Sequence, residues 1–191
     1  MPREHEEVIE ALRSKLVGVR TCIDVGSGDG YELSRLECQR KIAIDAHPEM
    51  VCGFPGIEFW NLGIAEVSGK AEFWHGPMWG CSSLNDRGGT KYEIDVMTLD
   101  EFIDSHKLTD VDALIIDTEG TTWQVLQGAK KLLETVKYVY AEVQLVELYR
   151  NPQCRLIDEV TEFLRKFSLH ATQGLPTYNA YPQANILYVR D

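Results

Sequence analysis

A short apolar run that breaks into three alternating glycines, Cys22-Ile23-Asp24-Val25-Gly26-Ser27-Gly28-Asp29-Gly30, constrains this chain more than any other stretch. It predicts a buried strand that ends in a tight turn and opens a helix. With glycine at 26, 28 and 30 the backbone can turn sharply and approach a bound molecule with no Cβ in the way. The helix that follows presents unpaired N–H groups at its start. A turn of this kind is a nucleotide or nucleoside site at the head of a β-α-β unit.

Two fingerprints compete for it. Dinucleotide enzymes use G-x-G-x-x-G, which would place the third glycine at position 31, and that position is Tyr31. The spacing here is G-x-G-x-G, with Asp24 two positions before the first glycine. This is similar to the turn with which class I methyltransferases hold S-adenosylmethionine. Charge separates the two cases. A dinucleotide brings a pyrophosphate, whereas S-adenosylmethionine brings an ammonium and a sulfonium. Asp24 and Asp29 suit a cation and repel a phosphate.

At 191 residues and 44% hydrophobic, the chain can bury one substantial core, and a single domain is the simplest expectation. Its net charge of −11, with no basic run longer than Lys130-Lys131, disfavours DNA or RNA as a broad partner. No segment approaches the length of a membrane span, and Met1-Pro2-Arg3-Glu4-His5 carries no apolar leader, so a cytoplasmic location is expected. The five cysteines form no C-x-x-C pair and read as reduced thiols rather than a disulfide scaffold or zinc site.

Val8, Ile9, Leu12, Leu16 and Val17 recur at helical spacing and predict an amphipathic helix before the first strand. Lys41-Ile42-Ala43-Ile44-Asp45 is a second strand ending in a carboxylate. Asp45 lies 19 residues after Gly26, close to the roughly 20-residue spacing at which such an acid accepts hydrogen bonds from ribose hydroxyls. A third strand spans 56–61, and its end, Asn61-Leu62, is where an adenine ring would lie. Residues 64–67 and 71–74 read as a β-hairpin about Gly69. They precede a loop of small and aromatic residues, 75–86, that reads as a substrate-facing lid. A strand at 92–96 and a helix capped by Thr98 follow. Residues 112–117 form an apolar strand ending in Asp117-Thr118-Glu119-Gly120, with Thr121-Thr122 expected to cap the next helix. Residues 138–143 form another strand, with Glu142 near its end. A helix near 155–167 and two closing strands, near 168–173 and 185–189, suggest a terminal antiparallel pair.

Taken in order, Asp24-Val25-Gly26-Ser27-Gly28-Asp29-Gly30, Asn61, Ser82-Ser83-Leu84, Val96-Met97-Thr98-Leu99-Asp100, Ile116-Asp117-Thr118-Glu119-Gly120 and Val125-Leu126-Gln127-Gly128-Ala129 resemble the FkbM family of S-adenosylmethionine-dependent methyltransferases over about 20–190. The resemblance implies an α/β fold with a Rossmann-like class I methyltransferase sheet. That sheet is mostly parallel, with a terminal antiparallel strand pair and an inserted β-hairpin after strand three. It implies one methyltransferase domain over 1–191, with an N-terminal helix in 1–18 and a hairpin and substrate-loop insertion at 63–97. Family members mostly methylate hydroxyl groups on sugars, glycolipids and polyketides, so a small-molecule or glycan acceptor is expected. This chain departs from the family at Ile115, where a Lys is usual, and at Asp45-Ala46-His47-Pro48, where a Glu-Pro pair is usual.

The implied reaction is in-line transfer of a sulfonium methyl to a nucleophilic oxygen, in which positioning is the larger part of catalysis. Asp117 and Glu119 are the first candidates to take the hydroxyl proton, and Glu142 and His75 the next. Asp24, Gly26, Ser27, Gly28, Gly30, Asp45, Asn61, Leu62 and Asp117 are the expected cofactor-binding residues. Asp117, Glu119 and Glu142 around Mg²⁺ would be a metal-assisted variant, but rim carboxylates are more often solvated or hydrogen-bonded, and no metal is expected. Two other classes share the fold: a nucleic-acid or protein methyltransferase, and a non-catalytic cofactor-binding module. The acceptor pocket is expected from segments 75–92, 144–155 and 174–183, and a homo-oligomer would be one way to complete it.

Overall fold

The computed structural model describes residues 3–76, 82–86, 89–147, 154–172 and 182–191. Parts of the expected acceptor segments, at 77–81, 87–88, 148–153 and 173–181, lie outside the described residues.

Five parallel strands form the centre of a seven-stranded sheet: β1 (Val19–Val25), β2 (Cys38–Asp45), β3 (Ile57–Asn61), β7 (Val111–Ile116) and β8 (Tyr138–Gln144). Two closing strands, β9 (Leu169–Ala171) and β10 (Gln183–Arg190), are antiparallel, with β10 inserted between β8 and β9. The order is β3-β2-β1-β7-β8-β10-β9. β7 and β8 are apolar almost throughout because they are covered on both faces, as parallel strands must be. Strand order reverses between β1 and β7. The register Val25↔Ile116 brings Gly26 and Asp117 side by side at that reversal. Crossover helices leave a crevice at such a point.

Alternate residues of the strands feed two cores. On one face Ile23, Val25, Ile42, Ile44, Leu114 and Ile116 pack with α3 (Leu99–Ser105), α4 (Thr122–Gln127), α5 (Lys130–Leu133) and α6 (Ile157–Arg165). On the other, Cys22, Ala43, Ala113 and Ile115 pack with Val8 and Leu12 of α1 (Arg3–Lys15) and Leu33 of α2 (Tyr31–Arg35). Each fully buried Val, Leu or Ile among them contributes about 1.5–3 kcal/mol. Thr98 caps α3 by accepting from the Glu101 N–H, as its sequence context suggests. Among the described residues no helix is long and apolar enough to cross a membrane.

The insertion after β3 is a separate three-stranded sheet, β4 (Gly63–Ile64), β5 (Gly69–His75) and β6 (Thr90–Met97), in the order β4-β6-β5. Its hairpin is not the one expected from 64–67 and 71–74. Gly69 begins β5, which runs antiparallel to β6 from Gly69↔Val96 to His75↔Thr90, while β4 lies parallel on the other side of β6. Residues 65–68 turn instead of pairing. The Ala65 N–H bonds to the Met97 carbonyl, and the Ser68 hydroxyl accepts from the Thr98 N–H and donates to Glu101. Thr121 and Thr122 also differ from expectation, since neither side chain caps α4. Thr121 Oγ1 donates to the Thr118 carbonyl, and Thr122 Oγ1 donates to the Glu142 carbonyl, tying the turn after β7 to β8.

Candidate active site

The tips of β1, β2 and β7 and the start of α2 enclose a cleft of about 510 Å³, roofed on one side by Phe73, His75 and 82–84 of the insertion. The glycines divide its labour. A Cβ on Gly26, whose φ is +84°, would stand 1.8 Å from the Asp117 carbonyl oxygen, so glycine is required for β1 and β7 to close up. A Cβ on Gly28 (φ +55°) would meet nothing within 4 Å, which leaves open space above the turn for a ligand. Gly30 lies off the cleft. It takes φ +83° at the start of α2 and faces Cys52 and Ile57.

Asp45 holds the turn from the neighbouring strand. Its Oδ2 accepts from Gly28 N–H at 2.9 Å and its Oδ1 from His47 N–H at 2.8 Å, so each oxygen keeps further acceptor capacity toward the cleft. Leu62 lines the cleft beside Met50 and Ala46, an apolar end fit for a flat ring. Asn61 does not line it. Its Nδ2 donates to the carbonyls of His47 and Met50 at 3.0 and 3.1 Å, holding the 47–50 loop in place from the side.

Six carboxylates face this space: Asp24, Asp29, Glu32, Asp45, Asp117 and Glu119. Among the described residues no lysine or arginine lines it. Burial, with Glu32, Asp117 and Asp45 close by, pushes the Asp24 carboxyl well above its ordinary value. Burial also pushes Asp117 up to about 7, helped by the negative charges of Glu32 and Glu119 and opposed by a hydrogen bond with Glu142. The oxygens of Asp117, Glu119 and Glu142 lie within 4.8 Å of one another. Glu142, buried behind the other two, accepts from Gln183 Nε2 at 2.7 Å.

Glu119 has φ +50°, a left-handed conformation unusual for a residue with a side chain. The buried Ser83 donates from Oγ to its carbonyl at 2.8 Å. His75 belongs to a different chain of contacts. Glu49 N–H donates to His47 Nδ1 at 3.2 Å, which leaves the His47 proton on Nε2, 3.1 Å from His75 Nδ1. Ser82 Oγ is 2.8 Å from the same His75 nitrogen. With Nδ1 so engaged, a neutral His75 offers an N–H at Nε2 rather than a lone pair. Sequence reading gave no role to Glu32 or His47, and placed Ser83 and Asn85 only within the 75–86 lid loop. Only Ser83 carried a signal, as part of Ser82-Ser83-Leu84.

The chemistry of this cleft fits a cationic nucleoside and not a pyrophosphate. Its walls are acidic, its apolar end suits a base, and the hydroxyls Ser27 Oγ and Thr118 Oγ1 are buried with no partner among the described residues. Residues 24–169 match the family described as the methyltransferase FkbM domain. The chain belongs to the FkbM methyltransferase family. Its fold is similar to that of a methyltransferase FkbM from Methylobacillus flagellatus KT (TM-score 0.59, 15% identity), covering 97% of this chain and 49% of that one. The chain thus spans about half the length of that family member. It is also similar to an rRNA methylase from Streptococcus thermophilus (TM-score 0.56, 13% identity), covering 100% of this chain and 99% of that one. Magnesium protoporphyrin IX methyltransferase from Synechocystis PCC 6803, solved with bound S-adenosylmethionine, has the same fold (TM-score 0.53, 12% identity), with 98% and 80% covered. No curated protein matches the sequence. The mostly parallel sheet with antiparallel closing strands described above is a class I methyltransferase fold.

Proposed function

We propose that the chain binds S-adenosylmethionine in this cleft and transfers its methyl group to a hydroxyl oxygen of a small-molecule or glycan-like acceptor: a sugar, glycolipid or polyketide-like compound. The observation that carries this reading is the carboxyl cluster Asp117, Glu119 and Glu142 at the tips of β7 and β8, beside the glycine turn. When bound, S-adenosylmethionine supplies an activated methyl group on a sulfonium leaving group.

The residues divide the remaining work. The Gly26–Gly28 turn and Asp45 hold the nucleoside portion, with Asp45 free to accept from ribose hydroxyls on its outer lone pairs. Ser27 and Thr118 supply hydroxyls to a polar ligand. Asp24 meets the positive charge that the acidic cleft lacks. Asp117, raised to about 7 by burial, is poised to take a proton from an incoming hydroxyl near neutral pH. Glu142 shares that proton through its hydrogen bond with Asp117, and Glu119 faces the same space. His75 acts from the roof as a donor at Nε2.

An acceptor has a place to approach. A second hollow, of about 450 Å³, shares Leu84 and Thr121 with the cleft and is lined by Trp74, Asn85 and Gln124. Gln124 Oε1 is buried there without a partner among the described residues, which suits a hydroxyl donor. The all-acidic cleft weighs against a nucleic-acid acceptor. The chain is proposed to act as one unit in a reducing cytoplasm, alone or with a second copy completing the acceptor side.

Thermal shift with S-adenosylmethionine, S-adenosylhomocysteine and NADH tests the first step, since a ligand of the native state raises the melting temperature. Methyl transfer from labelled donor into glycan, lipid and natural-product extracts tests the second. Stabilisation by NADH and none by S-adenosylmethionine would overturn the reading.

A further inference from the structure

Ser82 and Ser83 are adjacent, yet their hydroxyls serve different parts of the cleft. Ser82 reaches His75 in the insertion, while Ser83 reaches across to the Glu119 carbonyl at the tip of β7, 36 positions later. Ser83 is 2% exposed and Asn85 6%. The Ser83 hydroxyl works both ways: it donates to Glu119 O at 2.8 Å and accepts from Asn85 N–H at 3.0 Å. Asn85 Nδ2 adds a longer contact to the same carbonyl at 3.5 Å. The Ser83 backbone is pinned from behind, exchanging both hydrogen bonds with Trp74 of β5 at 2.8 and 3.0 Å. The inserted sheet therefore grips one carbonyl of the main sheet, and that carbonyl belongs to a residue held at φ +50°.

A non-glycine residue in that conformation lies above its right-handed form in energy, and such outliers persist only where surrounding contacts over-determine them. We propose that Ser83 is a positioning residue. By holding the Glu119 carbonyl, it keeps Glu119 left-handed and so directs its carboxylate to the cluster with Asp117 and Glu142. The insertion is then the second half of the reaction centre as well as its roof. This rests on the reading of Glu119 as part of the methyl-transfer site.

Two measurements on the whole chain separate the claim from that reading. The three-bond coupling between the Glu119 amide proton and its Hα reports φ directly. In Ser83→Ala it should move from the left-handed toward the right-handed value, and in Ser83→Thr, which keeps the hydroxyl, it should not. Label incorporation from S-adenosylmethionine into the extract fraction that the unmodified protein methylates best should fall on the order of tenfold to a hundredfold in Ser83→Ala, with the KM for S-adenosylmethionine unchanged. Ser83→Thr should restore it. In a Glu119→Gly background, Ser83→Ala should cost nothing further, because the two changes act through one residue. Should Ser83→Ala not fold, Asn85→Ala removes the longer contact and should give a smaller loss in the same direction. An unchanged coupling in Ser83→Ala overturns the clamp whatever the reaction. A shifted coupling with undiminished label incorporation overturns the role of Glu119 in transfer, and the positioning role with it.

Discussion

The Asp117 carbonyl oxygen occupies the place where a side chain on Gly26 would begin, 1.8 Å from that position. Asp117 N–H in turn donates to the Val25 carbonyl at 2.9 Å, so the first glycine and the proposed proton acceptor are packed as one unit. Gly26→Ala should therefore lose roughly 2–4 kcal/mol through clash and the left-handed backbone together. Gly28→Ala meets no neighbour and should lose only about 1–2 kcal/mol from its backbone conformation. Its methyl enters the cleft, so it should instead weaken binding of S-adenosylmethionine. Chemical denaturation of the two variants, paired with calorimetric titration, checks the contrast.

Asp45 joins two backbone donors, at Gly28 and His47, to the second strand. Asp45→Ala should destabilise the free protein by about 1–3 kcal/mol, since both N–H groups lose a charged partner. It should also abolish most of the thermal shift given by S-adenosylmethionine. A variant that melts as the parent does and keeps the full ligand shift would remove Asp45 from both roles.

Asp117 carries the opposite sign of pH dependence from most carboxylates. Its pKa is raised from 3.8 to about 7 in the fold, so the fold binds its proton more tightly than the unfolded chain does. Its contribution is therefore fully present below about pH 4 and is lost as pH rises through 7. Asp117→Asn removes the charge. It should leave the melting temperature near that of the parent in mild acid and raise it at pH 8, while methyl transfer falls. Melting curves of the two proteins across pH 4–9 should diverge with rising pH.

Asp112 behaves the other way, at the far end of the same strand. It is 1% exposed and accepts from the Arg20 backbone N–H, from the Arg20 guanidinium and from Lys137, which hold its carboxyl well below the usual range. This stabilisation is present above about pH 4 and lost as pH falls below it. Arg20→Ala should lower the melting temperature at neutral pH by removing the guanidinium from a buried carboxylate, and the deficit should shrink in acid. Catalysis should be little changed, because Asp112 lies at the start of β7 and not at its tip.

Much of the main sheet was legible in the residues. Apart from Asp112, Glu142 and Gln144, the runs 111–116 and 138–144 are apolar on both faces, which is the pattern of covered parallel strands. The glycine turn and Asp45 announced the switch point because their spacing reflects one β-α-β unit. The insertion was less legible. Gly69 looks like a turn residue locally, and only the distant pairing with Val96 makes it the start of a strand. Asn61 and Gly30 show the limit at the level of single side chains, since the amide of Asn61 is claimed by two loop carbonyls and Gly30 turns toward Cys52. The contact between Ser83 and Glu119 joins segments with no pattern in common. The raised pKa of Asp117 exists only once the fold has buried it and brought Glu32, Glu119 and Asp45 close by.

A cleft walled by carboxylates, with no lysine or arginine among the described residues, distinguishes a reactant from the product it becomes. S-adenosylmethionine arrives with one positive charge more than S-adenosylhomocysteine leaves with. The same walls that draw the donor inward lose their hold once the sulfur is neutral, so turnover itself loosens the grip. Inhibition by S-adenosylhomocysteine should then be weak relative to donor affinity, and the gap between the two should narrow as salt screens the walls.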